Sequence, residues 1–267
     1  MLIKNSVNKL GQIVSIFKLF KNWHLIMRFF LGANSKDKIK CVLRNDLVFG
    51  IRNNKVDLVV LMECLLPKSY TNYKKINQED IVIDIGANIG AFSVYSGSIA
   101  KKGKIYCFEP EKENFNLLKE NIKLNGLSNI KAFNLAVGSK EEINQLFLSE
   151  SSSEHSVCFP AKATGKSVSV NFISLEKIFN DNCLSYCDFM KIDCEGCEYD
   201  VLFSAPKKIL EKIKYIALEF HDFKESYRYL ELKEHLEKNG FKVILSLHKE
   251  LYVKPFYKLG IIYAERK

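Results

Sequence analysis

Ile81 to Gly90, Ile-Val-Ile-Asp-Ile-Gly-Ala-Asn-Ile-Gly, constrains this chain more than any other stretch. Ile81 to Ile85 reads as a buried strand, β-branched apart from Asp84 and preceded by a polar turn at Asn77 to Asp80. Gly86 and Gly90 bracket a tight turn that opens a helix running through Phe92 and Tyr95 towards Ala100. Strand, glycine turn and helix bring backbone N–H groups and a positive helix end to the carboxyl edge of a parallel sheet. That is where α/β proteins hold nucleotide-like ligands.

The details of the turn select the ligand. A dinucleotide fingerprint has the form G-x-G-x-x-G, so that a pyrophosphate can approach the backbone. Here Asn88 stands at the middle glycine position, and Asp84 places a carboxylate at the strand end, which suits a cationic group such as an ammonium. The next strand, Lys104 to Phe108, ends at Glu109-Pro110, and an acid there can accept hydrogen bonds from both hydroxyls of a ribose. Asp84, Gly86, Asn88, Gly90 and Glu109 together favour S-adenosylmethionine over NAD. The competing reading is a glycine turn that only lets a helix pack.

With 267 residues, 47% of them hydrophobic, the chain can bury a substantial core. The longest uncharged run, Ile85 to Ala100, is shorter than a bilayer span, and Met1 to Leu10 lacks the features of a secretory signal. The expected location is cytoplasmic, with the inner face of a membrane as the one variation. The net charge of +9 is concentrated at one end: residues 1–80 hold 14 Lys and Arg against 6 Asp and Glu, and the rest hold 26 against 25. A basic end points to an anionic partner, either a membrane surface or an acidic substrate. Nucleic acid is not expected, because no Arg-rich or aromatic-interleaved motif accompanies the lysines.

The cysteines suggest metal at first sight, since Cys183, Cys187, Cys194 and Cys197 lie close in sequence. However, Asp188 to Asp193 reads as a strand that holds Cys187 and Cys194 roughly 23 Å apart, too far for one tetrahedral site. All eight cysteines therefore read as small apolar fillers. A Cys194–Cys197 redox pair is the alternative.

In chain order, Leu10, Ile13, Phe17, Phe20, Trp23, Met27 and Phe30 recur at helical spacing, predicting an amphipathic helix over residues 8–31. It either packs on the domain body or lies on a membrane as a peripheral anchor. A hairpin with Arg44-Asn45-Asp46 at its turn and a helix from Asp57 to Leu66 follow, closing one side of the cleft. Residues 1–75 thus form a basic extension and 76–267 the main domain. There, Glu111 to Asn125 reads as a helix, and Ile130 to Leu135 as a third strand ending at Ala136, suited to lining an adenine pocket. Lys140 to Lys166 reads as a substrate loop around Ser151 to Ser153, with a strand at Gln145 to Leu148. Val168 to Phe172 is a strand, Ser174 to Phe179 a capped helix, and Asp188 to Asp193 a strand followed by a helix to Ile213. Strand Tyr215 to Phe220, helix Glu225 to Asn239 and strands Phe241 to Leu247 and Ile261 to Glu265 complete an α/β doubly wound, mostly parallel sheet with an antiparallel C-terminal edge strand.

Two strand ends carry charge: Lys191, Asp193, Glu195 and Glu198 after one, and Glu219, His221 and Asp222 after the other. Adjacent parallel strand ends face one crevice, so Glu109, Asp193 and Glu219 should approach the same cleft. Carboxylates near a Lys and a His can supply a general base, or bind a hard cation such as Mg²⁺. In a purely structural role, Lys191 would be an ion-pair partner and His221 a satisfied loop histidine.

Asp84-Ile85-Gly86-Ala87-Asn88-Ile89-Gly90, Phe108-Glu109-Pro110 and Lys191-Ile192-Asp193-Cys194-Glu195-Gly196-Cys197-Glu198 together resemble the FkbM family of S-adenosylmethionine-dependent methyltransferases. The last run is the specific part, and the similarity covers roughly residues 40–265. The resemblance implies a Rossmann-like class I methyltransferase domain. It also implies O-methylation of a hydroxyl on a sugar or a polyketide-type natural product, so the expected acceptor is a small molecule or glycan. Glu109 would hold the ribose, and Asp84 with the glycine turn the methionine end. The acceptor hydroxyl would sit between Asp193 and His221, with His221, Asp193 or Glu195 as base and Lys191 in the same cluster. The rival readings are an NAD-dependent sugar oxidoreductase and a catalytically silent cofactor-binding scaffold.

Overall fold

The computed structural model describes residues 9–33, 38–66, 70–149, 163–222, 229–247 and 258–267. The chain opens with α1 (Lys9–Leu19) and α2 (Trp23–Phe30), then the hairpin β1 (Ile39–Val42) and β2 (Val48–Ile51), then α3 (Lys55–Leu65). The single helix expected over residues 8–31 is therefore two helices. At the break the backbone turns to the hairpin: the Asn22 side chain donates to the Lys40 carbonyl and accepts from the Val42 N–H, and the Lys21 N–H donates to the Val42 carbonyl. The expected stripe also divides. Phe20 is buried beside Ile16, Ile26 and Phe29, whereas Leu10, Phe17 and Trp23 are exposed. Apolar residues surround both helices, so periodicity alone could not choose the inward face.

The hairpin with its turn at Arg44 to Asp46 is as expected. Arg52, just past β2, forks onto Asp57 and also donates to Asn114 of α5 (Lys112–Leu124). From α5, the Asn121 and Asn125 side chains accept the Gly50 and Val48 N–H groups, so the outer edge of β2 is bonded to the main domain. The two segments share one apolar cluster, in which Phe20, Phe49 and Leu61 meet Ile89, Val94 and Leu117.

The main sheet begins with β3 (Ile81–Ile85), α4 (Ala91–Ile99), β4 (Lys104–Phe108), α5 and β5 (Ile130–Phe133). β5 stops two residues short of the expected end because the Asn134 amide turns back to donate to the Glu109 and Pro110 carbonyls. Next come β6 (Ala136–Gly138), β7 (Ile143–Ser149) and β8 (Ala163–Ser174), forming a separate three-stranded sheet in the order β6-β8-β7. The strand expected at Gln145 to Leu148 is present as β7, and the two described ends of the segment expected as a loop over 140–166 pair as an antiparallel β7–β8 ladder, in which Leu146 is buried. The segment's centre, Ser151 to Ser153, lies outside the described residues.

The chain returns through α6 (Leu175–Asp181), capped by Ser174, to β9 (Phe189–Ile192). The helix expected to run to Ile213 is split into α7 (Glu198–Phe203) and α8 (Lys207–Leu210) by Pro206, which has no N–H to donate. β10 (Tyr215–Asp222), α9 (Tyr229–Lys238), β11 (Phe241–Leu247) and β12 (Lys258–Arg266) complete the fold. The first residues of the helix expected from Glu225 lie outside the described residues.

Among the described residues the main sheet has the order β11-β12-β10-β9-β3-β4-β5. It is parallel from β10 to β5, and β12 runs antiparallel to both β10 and β11, with β11 outermost. β3 is paired on one side with β4 and on the other with β9, so the strand order reverses at its carboxyl end. That is the topological switch point, where a Rossmann-like sheet opens a crevice. Of the cysteines, Cys41, Cys107, Cys187 and Cys197 are buried fillers as expected, but Cys183 is exposed. No helix among the described residues is long and apolar enough to cross a membrane.

Candidate active site

Three residues of the turn after β3 have left-handed backbones: Gly86 at φ 74°, Asn88 at φ 50° and Gly90 at φ 87°. Asparagine tolerates this conformation better than most residues, which explains how Asn88 can stand among glycines. The turn's N–H groups are spent inside the protein. Those of Gly86 and Ala87 donate to the Phe108 carbonyl, and that of Gly90 to the Ala87 carbonyl. Ile89 N–H donates to the Asn88 side chain, and Asn88 N–H to Glu109 Oε2. None of the five is left to cradle a pyrophosphate, so the turn is unlike a dinucleotide site in its chemistry as well as its spacing.

Glu109 closes β4, buried at the crevice, and its second oxygen accepts the Glu111 N–H at 2.9 Å. Burial raises its pKa to about 7, against the lowering effect of the two backbone N–H bonds. A carboxyl held by two rigid backbone donors at this height is well fixed to receive ribose hydroxyls.

Asp84 is placed differently from the expectation that it faces a ligand cation. It is fully buried: Ser93 Oγ donates to one oxygen at 2.5 Å, and Lys191 Nζ lies 3.3 Å from the other. The cation Asp84 meets is Lys191, whose ammonium also donates to the Gly86 carbonyl at 2.7 Å and lies 3.5 Å from Asp193. Burial would lower the Lys191 pKa, but Asp84 and Asp193 outweigh it and hold the ammonium charged. Asp84 and Lys191 thus brace the turn from behind. The Ala136 side chain is buried in the small sheet's own cluster with Leu146, Val170 and Phe172.

Beyond β9, the Asp193 N–H donates to the Ile85 carbonyl, and Glu195 adopts an uncommon φ of 52°. Glu198 holds this loop. Fully buried, it accepts the Cys194 and Gly196 N–H groups and the Nδ1–H of His221 at 2.9 Å. The other ring nitrogen of His221 lies 3.5 Å from Glu195. Burial alone would lower the His221 pKa, but Glu195 and Glu198 outweigh it and raise the pKa well above the usual value, which favours the protonated ring.

Tyr70, which carried no signal in the sequence, is buried against this cluster. Its hydroxyl lies 2.8 Å from Asp193 and 3.0 Å from Glu219. One hydroxyl proton between two carboxylates bonds fully only when one of them is protonated. Glu219 fits that role, its pKa raised to about 7 by burial and then by Asp193. Glu63 of α3 is pushed up in the same way, by burial and by Glu219, Asp193 and Glu195. The structure therefore gathers Lys191, Asp193, Glu195, Glu198, Glu219 and His221 as the strand order requires, sets Glu63 of α3, which the family resemblance also covers, beside them, and adds Tyr70.

A glycine turn at the switch point, an acid closing the next strand and an acid–imidazole cluster beside them define a class: an α/β transferase built around a nucleoside-type cofactor. The chain belongs to the FkbM methyltransferase family, matching the Methyltransferase FkbM domain over residues 84–243. It is 23% identical over 208 residues to Methyltransferase 1 of Beauveria bassiana, covering 70% of this chain and 82% of that one. It is 27% identical over 175 residues to methyltransferase sdnD of Sordaria araneosa, covering 52% of this chain and 65% of the relative. Its fold is similar to that of a crystal structure of Methyltransferase FkbM from Methylobacillus flagellatus KT. That match has a TM-score of 0.51 at 16% identity and covers 76% of this chain and 49% of that chain.

Proposed function

We propose that this methyltransferase moves a methyl group from S-adenosylmethionine to a hydroxyl oxygen, on a sugar of a glycan, glycolipid or glycosylated natural product. The observation that carries the reading is the contact between the Gly86 turn and the backbone of Asp193, which sets the acid cluster directly against the cofactor turn. Glu109 takes the ribose hydroxyls, and the Gly86–Gly90 turn takes the methionine end with its N–H groups already bonded inward.

As the acceptor oxygen attacks the methyl carbon, the C–S bond breaks, the sulfur becomes neutral and the hydroxyl proton must leave. Both ring nitrogens of His221 already face carboxylates, so we assign the base to Asp193, with His221 and Glu195 orienting the acceptor. Alignment in a closed cleft supplies much of the acceleration.

The alternative route through a cation such as Mg²⁺ uses Asp193, Glu195 and His221, whose ligand atoms lie within 4.8 Å of one another. The donor set fits Mg²⁺ poorly, because that ion takes nearly all-oxygen octahedral sites and the imidazole here is already held between two carboxylates.

The test is transfer of labelled methyl from S-adenosylmethionine to a panel of glycans, glycolipids and glycosylated natural products, with Asp193→Asn and EDTA as controls. Label on a sugar oxygen, lost in Asp193→Asn and kept in EDTA, supports the proposal. Label on nitrogen or carbon, or activity abolished by EDTA, contradicts it.

A further inference from the structure

The N-terminal helices present two faces, and the fold uses one. Ile16 and Phe20 of this segment are buried against the hairpin and α3, with Ile26 and Phe29 from α2. On α1, Leu10, Val14 and Phe17 follow one another at helical spacing and are 66%, 42% and 40% exposed. Trp23, 37% exposed, extends this ridge, its ring 4.4 Å from that of Phe17. Because the opposite face is locked into the core, the ridge cannot turn inward.

The charge around it is mainly basic, with Asp46 of the hairpin turn paired to Lys21 as the acid beside it. Residues 9–33 contain Lys9, Lys18, Lys21 and Arg28 and no Asp or Glu. The Arg44 guanidinium donates twice to the Phe17 carbonyl, at 3.0 and 2.7 Å, setting a further exposed cation at the foot of the ridge. Exposed aromatic and aliphatic side chains flanked by cations match an anionic lipid surface, where the apolar groups enter the interface and the cations meet the headgroups.

We propose that the Leu10–Val14–Phe17–Trp23 ridge and its surrounding cations dock this protein on an anionic phospholipid surface, lying in the interface without crossing the bilayer.

Trp23 is the only tryptophan in the chain, so its fluorescence reports this face directly. The full-length protein is mixed with phosphatidylcholine vesicles, with and without phosphatidylglycerol, and both Trp23 emission and co-flotation are followed. The expected result is a blue shift and flotation with the phosphatidylglycerol vesicles, weakened by raised salt and absent with phosphatidylcholine alone. The double variant Leu10→Ser/Phe17→Ser alters exposed side chains, so it keeps its circular dichroism spectrum and is expected to lose flotation. No shift and no flotation with either vesicle would overturn the proposal. So would equal binding to both vesicles, flotation retained in the folded double variant, or a shift that needs no vesicles and grows with protein concentration. The last of these would mark a second copy as the occupant.

Discussion

A Cβ placed on Gly86 would lie 1.8 Å from the carbonyl oxygen of Asp193, so the cofactor turn and the catalytic loop touch backbone to backbone. Both the φ of 74° and this contact demand glycine. Gly86→Ala is expected to cost at least about 2 kcal/mol, lowering Tm by roughly 4 °C or more in a chain of this size. Cofactor affinity should fall with it. A scanning-calorimetry Tm equal to the parent's would show that the two loops are not in contact.

Tyr70 lowers the pKa of Glu219 by bonding to its carboxylate. In Tyr70→Phe that bond is gone, and Glu219 is expected to titrate above about 7, where it stands now. An NMR titration of the Glu219 carboxyl should show its midpoint moved to higher pH, with Tm changed by only a few degrees. A tyrosine that does not bond to Glu219 would leave that midpoint where it was.

Lys191 is buried between Asp84 and Asp193. Lys191→Met leaves two carboxylates facing each other without their cation, and removing one partner from a buried pair costs about 3–5 kcal/mol. Adding Asp84→Asn should recover part of that loss in chemical denaturation. If the double variant is no more stable than the single, Asp84 is not the partner that matters.

The ligand-free protein should lose stability as pH rises. Glu109 and Glu219 have folded pKa values of about 7, above the usual 4.5, so the folded state binds the extra protons. Their stabilisation is complete below about pH 4.5 and is lost as pH climbs to about 7. His221, also raised, extends the decline above pH 6.5. Tm measured from pH 5 to 8 should therefore fall, and His221→Gln should flatten the upper part of the curve.

Much of this arrangement was legible in the sequence because it is local. Apolar runs of strand length, glycines at fixed offsets and charged strand ends specify β3, β4, β9 and β10 and the cleft between them. What was not legible depends on distant partners. Tyr70 lies in an irregular stretch, and its role comes from Asp193 and Glu219, far along the chain. Asp84 looked ready for a ligand because nothing in its strand reveals that Lys191 reaches it first. The break between α1 and α2 comes from the bonds of Asn22 to β1, not from any helix-breaking residue. Ala136 seemed to end a strand of the main sheet, and long-range pairing with β8 moves it to another.

The central claim, that the crevice beside β3 holds S-adenosylmethionine through Glu109, is tested most directly by isothermal titration. S-adenosylmethionine, S-adenosylhomocysteine and NAD are titrated into the parent and into Glu109→Ala. The expected result is binding of the first two and not of NAD, weakened on the order of 10- to 100-fold in the variant as charged hydrogen bonds to the ribose are lost. Tight NAD binding, or S-adenosylmethionine binding unchanged in Glu109→Ala, would contradict it.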